Sequence, residues 1–301
     1  MKLYRDAFKA MGSPCELQAW ARSKSAARQW FSIARAEANR IEKKYSRYLD
    51  TSVLSAINRS AGGAPMALDT ETCDLLNYAN ACFTASAGRF DISSGVLRRA
   101  WDFNATTPRL PTQSEIDALL ARVGWQRAQW DAPRLGLPFG MEIDFGGIGK
   151  EYAADRAATL CAAGGAEAML INFGGDIRVT GPQHAGEPWH LGIVHPRPMH
   201  ANQTIATLEI TSGGIATSGD YERFFELDGQ RFCHILDART GWPVQAIQSV
   251  SVAAPACMVA GSLCTIAMLL SEHAASVLTA SGFAYVMADA AGTIHVGQAR
   301  P

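Results

Sequence analysis

The segment Arg223-Phe-Phe-Glu-Leu-Asp-Gly-Gln-Arg-Phe-Cys-His-Ile235 decides the class of fold. Two runs rich in aromatic and apolar residues flank Asp228-Gly229, a dipeptide that accommodates the positive φ values of a tight two-residue turn. The segment therefore predicts a β-hairpin, and a hairpin implies antiparallel pairing of its strands.

Helices and further strands are predicted on both sides of this hairpin. An amphipathic helix follows Ser23 and runs to about Lys44, another follows Asp69, and the capping-box pattern Thr112-Gln-Ser-Glu115 begins a short one. This order of elements favours a mixed α+β fold over a regular βαβ series. The remaining predicted helices cover 150–163, 256–270 and 273–281, and the remaining strands cover 15–19, 168–172, 177–180, 190–194, 205–210, 249–253 and 284–288.

The composition is that of a globular protein with a small-molecule partner. The 301 residues carry 27 Lys+Arg against 28 Asp+Glu, a net charge of −1, and 48% of them are hydrophobic. This length allows one large domain or two ordinary ones of roughly 100 to 200 residues. The near-neutral balance gives no electrostatic footprint for nucleic acid or an anionic membrane. The uncharged stretch between Arg239 and Glu272 contains a helical pattern too short to span a bilayer, so it predicts a buried core helix.

Cysteine usage and the first residues bear on the compartment. Seven scattered cysteines without a C-x-x-C pair argue against a disulfide framework and against a thiolate metal site. The charged start of the chain, with Lys2, Arg5 and Asp6, lacks the apolar region of a secretory signal. We therefore expect a cytoplasmic location by default, or a periplasmic one if a leader has been removed.

Four glycine-bearing turns carry the candidate chemistry. Glycine lets backbone N–H groups approach an anion closely, and a following helix N-terminus adds partial positive charge, so such turns suit phosphate groups. A Walker A loop and a Rossmann fingerprint are both excluded, because Asp144, Glu151 and Tyr152 stand where those motifs need other residues. From the residues alone, each turn is either a phosphate site or an ordinary loop. The turns are Asp144-Phe-Gly-Gly-Ile-Gly-Lys150, Asn172-Phe-Gly-Gly-Asp176, Ser212-Gly-Gly-Ile-Ala-Thr-Ser-Gly-Asp220 and Asp237-Ala-Arg-Thr-Gly241.

Taken together, the motifs resemble those of the ApbE-type flavin transferases, the FAD:protein FMN transferases, in the family's order and over nearly the whole chain. The resemblance implies a T-fold-like α+β architecture of mixed, largely antiparallel sheets packed with helices. It also implies a single unit over residues 1–301, with two intertwined lobes as the alternative. The motifs are Met11-Gly-Ser13, Tyr45-Ser-Arg-Tyr48, Ser52-Val-Leu-Ser-Ala-Ile-Asn58, Phe90-Asp-Ile-Ser-Ser-Gly-Val-Leu97, Asp144-Phe-Gly-Gly-Ile-Gly-Lys-Glu-Tyr152, Asn172-Phe-Gly-Gly-Asp176, Ala216-Thr-Ser-Gly-Asp-Tyr221 and His234-Ile-Leu-Asp-Ala-Arg-Thr-Gly241.

The same resemblance implies an activity. The chain would bind FAD and, with magnesium at the pyrophosphate, attach FMN to a Ser or Thr hydroxyl of an acceptor flavoprotein, with release of AMP. Cleaving a pyrophosphate needs positive charge on the leaving phosphate and donors around the transferring one. Lys150 is the candidate catalytic cation, Asp220 the candidate base and His234 a candidate contact to flavin or phosphate. The alternatives are a solvated helix lysine, a turn-capping carboxylate and a strand-end histidine.

The motifs also imply a set of FAD-binding residues. Tyr48 is the candidate plate for the planar isoalloxazine, with a core position at a helix end as the alternative. Asp237 and Arg239 are expected mainly to organise their own turn. The full set is Met11, Tyr48, Ser93, Asp144, Gly146, Gly147, Lys150, Gly175, Asp176, Thr217, Ser218, Gly219, His234, Asp237 and Arg239.

The chain departs from the family at the magnesium site. Where the family has an Asp-x-x-x-Thr pair on one helix face, this sequence has Gly261 and Thr265. Gly149, whose backbone carbonyl matches a family ligand position, and Thr265 are the remaining candidate metal ligands. Glu151, where the family usually has glycine, is a second departure. Since magnesium favours anionic oxygen, Gly261→Asp is expected to raise magnesium affinity and transfer rate.

The missing carboxylate leaves two rival functions open. In the first, the same pocket holds FAD as a store, donor or tightly bound cofactor without transfer. In the second, the bound flavin carries out redox chemistry. Transfer predicts AMP release, whereas redox use predicts bleaching of a non-covalent flavin by reduced nicotinamide. Neither the acceptor protein nor the oligomeric state follows from the sequence.

Overall fold

The computed structural model describes residues 1–103, 105–197 and 203–299. The helices are α1 Lys24–Tyr45, α2 Val53–Arg59, α3 Thr70–Ala85, α4 Gln113–Leu120, α5 Gly149–Ala163, α6 Cys257–Leu270 and α7 Ala274–Ser281, with 3₁₀ helices at Ile92–Arg99, Trp125–Arg127 and Ser271–His273. The strands are β1 Lys2–Ala10, β2 Ser13–Ala21, β3 Met66–Ala67, β4 Gln129–Asp131, β5 Arg134–Gly136, β6 Met169–Phe173, β7 Asp176–Val179, β8 Trp189–Val194, β9 Thr204–Ile210, β10 Gly213–Gly219, β11 Phe224–Leu227, β12 Gln230–Cys233, β13 Ile247–Ala254, β14 Ala284–Asp289 and β15 Ile294–Gly297.

An eight-stranded sheet in the order β1-β2-β6-β7-β10-β13-β14-β15 forms the centre of the molecule. Its neighbouring strands pair antiparallel throughout, as the sequence predicted for an α+β fold. The hairpin quoted first forms β11 and β12, a separate two-stranded sheet. Its turn residues Asp228 and Gly229 have φ values of 51° and 75°, which confirms the predicted two-residue turn.

Each face of the large sheet is covered by a different layer. Helices α1, α5 and α6 cover one face, where residues such as Met169, Ile171 and Val252 enter the main core. The β8–β9 hairpin covers the other, and there Leu170 and Ile215 pack in a second core cluster with Trp189 and Ile193 of β8 and Ile210 of β9. Alternate residues of a strand point to opposite faces, so a single strand such as β6 supplies both cores.

The predicted helix starts are confirmed by their caps. Ser23 Oγ accepts from Ala26 N at 3.2 Å before α1, and Asp69 Oδ1 accepts from Thr72 N at 3.1 Å before α3. Thr112 and Glu115 form both bonds of the capping box at α4. Each bond satisfies a backbone N–H that the first turn of a helix leaves unpaired, which fixes where the helix begins.

Helix α6 is the predicted core helix of the uncharged stretch. Among the described residues, one helical stretch, Cys257–Ser281, is long and apolar enough to cross a membrane by length and composition. The structure divides it at Ser271, where φ is 52°, and α6 packs against β10 and β13. The N-terminus of α6 lacks a cap of its own; Asp155 of α5 accepts from Cys257 N and Met258 N at 2.9 Å each.

The sequence prediction was wrong for one glycine-rich segment. Residues 212–220 were predicted as a turn, but Gly213–Gly219 is the strand β10 in the middle of the large sheet. Its glycines admit close neighbours, since a Cβ on Gly214 would lie 2.8 Å from both Cys257 N and Ile177 O. The other predicted turns are confirmed, and all seven cysteines are buried and free, as expected.

Candidate functional site

A cavity of about 660 Å³ opens where the start of α5, the end of β10 and the residues on either side of the β11–β12 hairpin meet the 3₁₀ helix Ile92–Arg99. Eleven of the residues singled out in the sequence line this cavity. They are Tyr48, Asp144, Gly146, Gly147, Lys150, Asp176, Thr217, Ser218, Gly219, His234 and Thr265. Motifs that lie more than 200 residues apart in the chain therefore share one concave surface.

Lys150 lies in the first turn of α5 and forms an ion pair inside the cavity. Its Nζ lies 2.5 Å from Asp176 Oδ2, and the side chain of Asp176 is 4% exposed. Although burial disfavours the charged amine, the carboxylates of Asp176 and Glu151 raise the pKa of Lys150 above its ordinary value. Lys150 is therefore a cation over the whole physiological pH range, as a contact to phosphate requires.

Glu151, the next residue, is buried and only partly satisfied. It is 6% exposed, and its Oε2 has no hydrogen-bond partner among the described residues. Burial, followed by the nearby carboxylate of Asp176, raises the pKa of Glu151 to about 8. Its carboxyl group occupies the space beside Gly261, where an added Cβ would lie 2.5 Å from Glu151 Oε1.

Thr265 and Ser218 bring hydroxyl groups to the same wall. Thr265 follows Gly261 by one turn of α6, and its Oγ1 lies 3.3 Å from Ser218 Oγ at the end of β10. Thr217 Oγ1 lies 2.7 Å from Ser251 Oγ, so its hydroxyl already has a partner within the sheet. Besides the carboxyl oxygens of Glu151, this wall thus offers the hydroxyl oxygens of Ser218 and Thr265, which are bonded to each other.

His234 also lines the cavity, directly after β12. Its Nδ1 is buried and has no hydrogen-bond partner among the described residues. Burial, together with the positive charge of Arg223, lowers the pKa of His234 to about 4. At neutral pH the imidazole is therefore uncharged, so it can accept or donate a hydrogen bond but does not attract phosphate as a cation.

Tyr48 presents an open aromatic surface at the rim. Tyr48 is 75% exposed, so it does not occupy a core position at a helix end, which was the alternative. The guanidinium of Arg47 lies 5.1 Å from the ring centroid and also contacts Asp144, which in turn accepts from Gly146 N at 2.9 Å. The turn before α5 is thereby tied to the aromatic ring.

Asp220 is held away from the cavity by two arginines. Arg197 Nη1 and Nη2 bond its two carboxylate oxygens at 2.6 and 2.9 Å, and Arg231 approaches to 3.4 Å. Asp220 follows Gly219, which does line the cavity, but Asp220 itself does not. The predicted base is therefore in an ion pair in this conformation and would have to leave Arg197 to accept a proton.

The structure does not bring the remaining predicted residues to the cavity wall. Ser93 is fully buried and bonds Asp91 and the backbone N–H of Gly124. Asp237 accepts from Arg89 at 2.6 Å and from Arg239 N at 2.8 Å, so it organises its turn as expected. The others are Met11, at the β1–β2 turn; Gly175, at the β6–β7 turn; Gly149, which begins α5; and Arg239, which bonds the Ala87 carbonyl.

Several cationic residues of the cavity were missed by sequence reasoning. Arg47, Arg89 and Arg223 line it, as do Arg98 and Arg99, both of which pair with Glu142. Each of these arginines stands inside a motif quoted above or within two residues of one. A sequence does not distinguish an arginine in solvent from one that lines a cavity, but the position of these arginines beside a motif could have indicated the cavity.

Comparisons with known proteins identify the family of the chain. The model of the ApbE family matches residues 11–287. The chain is 32% identical over 252 residues to the FAD:protein FMN transferase of Salmonella typhimurium, covering 80% of this chain and 71% of that protein. It is 30% identical over 238 residues to the protein of the same name from Chlamydia pneumoniae, covering 76% and 73%.

Solved structures are similar over nearly the whole chain. A crystal structure of the ApbE protein of Thermotoga maritima superposes with a TM-score of 0.90 at 29% identity, covering 98% of this chain and 97% of that one. The apo form of the flavinyl transferase ApbE of Pseudomonas stutzeri superposes with a TM-score of 0.85 at 25% identity, covering 99% and 95%.

Proposed function

Because this chain belongs to the ApbE family, we propose that it transfers FMN from FAD to a Ser or Thr hydroxyl of an acceptor protein and releases AMP. The observation that carries the proposal is Lys150, a partly buried cation set among the glycine turns in a cavity of about 660 Å³. A cavity of that volume lies within the range that encloses small-molecule ligands. An exposed aromatic ring, Tyr48, stands at its rim for the isoalloxazine.

The residues present also fit a magnesium ion. An unpartnered carboxylate oxygen of Glu151 and the hydroxyls of Thr265 and Ser218 are hard oxygen donors on one wall. Among the described residues no group of three or more His, Cys, Asp or Glu side chains is suited to a metal, so phosphate oxygens and water would have to complete the coordination. Bound there, magnesium would supply positive charge to the pyrophosphate.

The protein's own groups perform the remaining steps. Lys150 offsets negative charge that develops on the phosphate oxygens, and Gly146 and Gly147 line the same cavity. The acceptor oxygen forms a bond to the FMN phosphorus as the bond from that phosphorus to the bridging oxygen breaks. The bridging oxygen leaves with AMP, and the hydroxyl proton passes to a base, for which Asp220 is the candidate once it is released from Arg197.

The test is AMP release from FAD by the purified protein with magnesium, followed by anion-exchange chromatography. We expect AMP to form, and Lys150→Met to reduce its rate by about 100-fold or more, since one preorganised charge contact at a reacting group is typically worth that much. The matched control is Lys43→Met, an exposed lysine of α1, which is expected to leave the rate unchanged.

Two results would contradict the proposal. FAD binding without any AMP release would favour the alternative of an FAD carrier or a non-covalent flavoprotein. Unchanged AMP release in Lys150→Met would show that pyrophosphate cleavage does not use this cavity.

A further inference from the structure

The cavity contains a buried carboxyl group, that of Glu151, to which the transfer steps assign no role. Lys150 is engaged with Asp176 at 2.5 Å, so the charges of that pair balance each other. Glu151, beside them, is left without an ion-pair partner, and its Oε2 has no hydrogen bond among the described residues. A buried carboxylate in this state needs either a proton or a cation.

The place of this carboxylate is set by a contact between two helices. Glu151 projects from α5 to the point where α6 carries Gly261, and the two helices pack against each other. A Cβ on Gly261 would lie 2.5 Å from Glu151 Oε1 and 2.6 Å from its Cγ, distances that real Cβ contacts do not reach. Glycine at 261 is therefore the condition for Glu151 to lie there.

That point is also where a carboxylate on α6 would stand if residue 261 had one. Residues 261 and 265 lie four apart on α6 and share a face, and both Glu151 and Thr265 line the cavity. The two departures noted in the sequence, glutamate at 151 and glycine at 261, thus belong together. In this chain the carboxyl group in that space belongs to α5, and α6 has glycine there.

We propose, on the basis of the proposed function, that Glu151 is the carboxylate ligand of the divalent cation in this protein and that Gly261 makes room for it. Thr265 supplies a hydroxyl beside it, and phosphate oxygens of FAD complete the set. The expectation that Gly261→Asp improves the site is accordingly reversed: the added side chain collides with Glu151.

The test measures metal affinity rather than turnover. Free Mn²⁺ is titrated by electron paramagnetic resonance against the full chain with FAD, and FAD affinity is measured separately in EDTA by flavin fluorescence. Glu151→Gln keeps the shape and removes the charge. We expect it to weaken Mn²⁺ binding by at least about tenfold, since even groups that only orient metal ligands are worth that much. FAD affinity in EDTA is expected to be unchanged.

Two further variants replace Gly261. Gly261→Asp alone is expected to lower the melting temperature and not to tighten Mn²⁺ binding. The exchange variant Glu151→Gly/Gly261→Asp returns the carboxylate to α6 and is expected to restore binding to near the wild-type value. Glu187→Gln, at an exposed site outside the cavity, is the control for loss of one charge.

The outcomes separate this inference from the function on which it rests. If the wild type binds FAD and Glu151→Gln still binds Mn²⁺ as tightly as the wild type, Glu151 is not the ligand and the inference is overturned, while the proposed function stands. If the wild type binds no FAD either in EDTA or with Mn²⁺, the proposed function fails and the inference with it. Should Glu151→Gln fail to fold, the exchange variant decides, because loss of Mn²⁺ binding in a folded exchange variant overturns the interchange of positions.

Discussion

Removing the Lys150 amine should separate its structural role from its binding role. Lys150→Met keeps most of the aliphatic stem and leaves Asp176, whose side chain is 4% exposed, without its partner at 2.5 Å. Breaking a buried pair by removing one partner costs about 3–5 kcal/mol, because the other charge stays buried and uncompensated. For a large single chain, about 2 °C per kcal/mol gives a fall in melting temperature of roughly 6–10 °C.

The double variant Lys150→Met/Asp176→Leu completes the experiment. Replacing both partners by apolar residues removes the stranded charge, so most of the lost stability should return. FAD affinity, however, should stay low in both variants, since neither has the Lys150 amine to face the pyrophosphate. Unfolding in urea gives the stability and flavin fluorescence gives the affinity. The reasoning is refuted if the free energy of unfolding of Lys150→Met falls by less than about 1 kcal/mol, which is the contribution of an exposed ion pair. It is also refuted if the double variant recovers FAD binding.

Two further predictions concern the walls of the cavity. Tyr48→Ala should weaken FAD binding by about tenfold with little change in stability, because the ring is 75% exposed and one aromatic stacking contact is worth about 0.5–1.5 kcal/mol; Tyr48→Phe should bind like the wild type, and equal affinity of all three proteins would exclude stacking on this ring. For His234, the pKa is lowered to about 4 in the folded protein against 6.5 in the unfolded chain, so the unfolded chain takes up the proton first and stability falls as pH drops from 6.5 to 4. His234→Gln should therefore show a smaller loss of urea midpoint over that interval, and identical pH profiles for the two proteins would contradict the lowered pKa.

The helix starts and the hairpin could be predicted because their causes are local. Ser23 and Asp69 bond backbone groups three residues away, and Asp228-Gly229 makes its turn within two residues. The strand β10 could not, because its glycines suit a turn as well as a strand, and the close approach of Cys257 of α6 and Ile177 of β7 to Gly214 is visible only in the structure. Local patterns predict elements, whereas contacts between distant elements select among them.

Some features of the candidate site could likewise be predicted from local motifs, and others could not. Residues such as Lys150, Asp176 and His234 were found from motifs, and the structure brings them to one cavity. The ion pair of Asp220 with Arg197 was not predictable, since nothing in either segment indicates the other. The contact between Glu151 and Gly261 joins residues 110 positions apart, so the sequence showed two unrelated departures where the structure shows one arrangement.

The contact between Glu151 and Gly261 also bears on how related sequences should be compared. If the alignment columns of residues 151 and 261 are scored separately, a chain with glycine at position 261 appears to have lost its acidic residue. Scored as a pair, the two columns still hold one acid, and a Cβ at position 261 would lie 2.5 Å from Glu151 Oε1, so a second side chain there would displace the glutamate. Mutational paths between the two arrangements would then pass through a sequence with glycine at both positions or through one in which Glu151 lies elsewhere. A survey of relatives should accordingly count acids over both positions before it sets any chain aside as inactive.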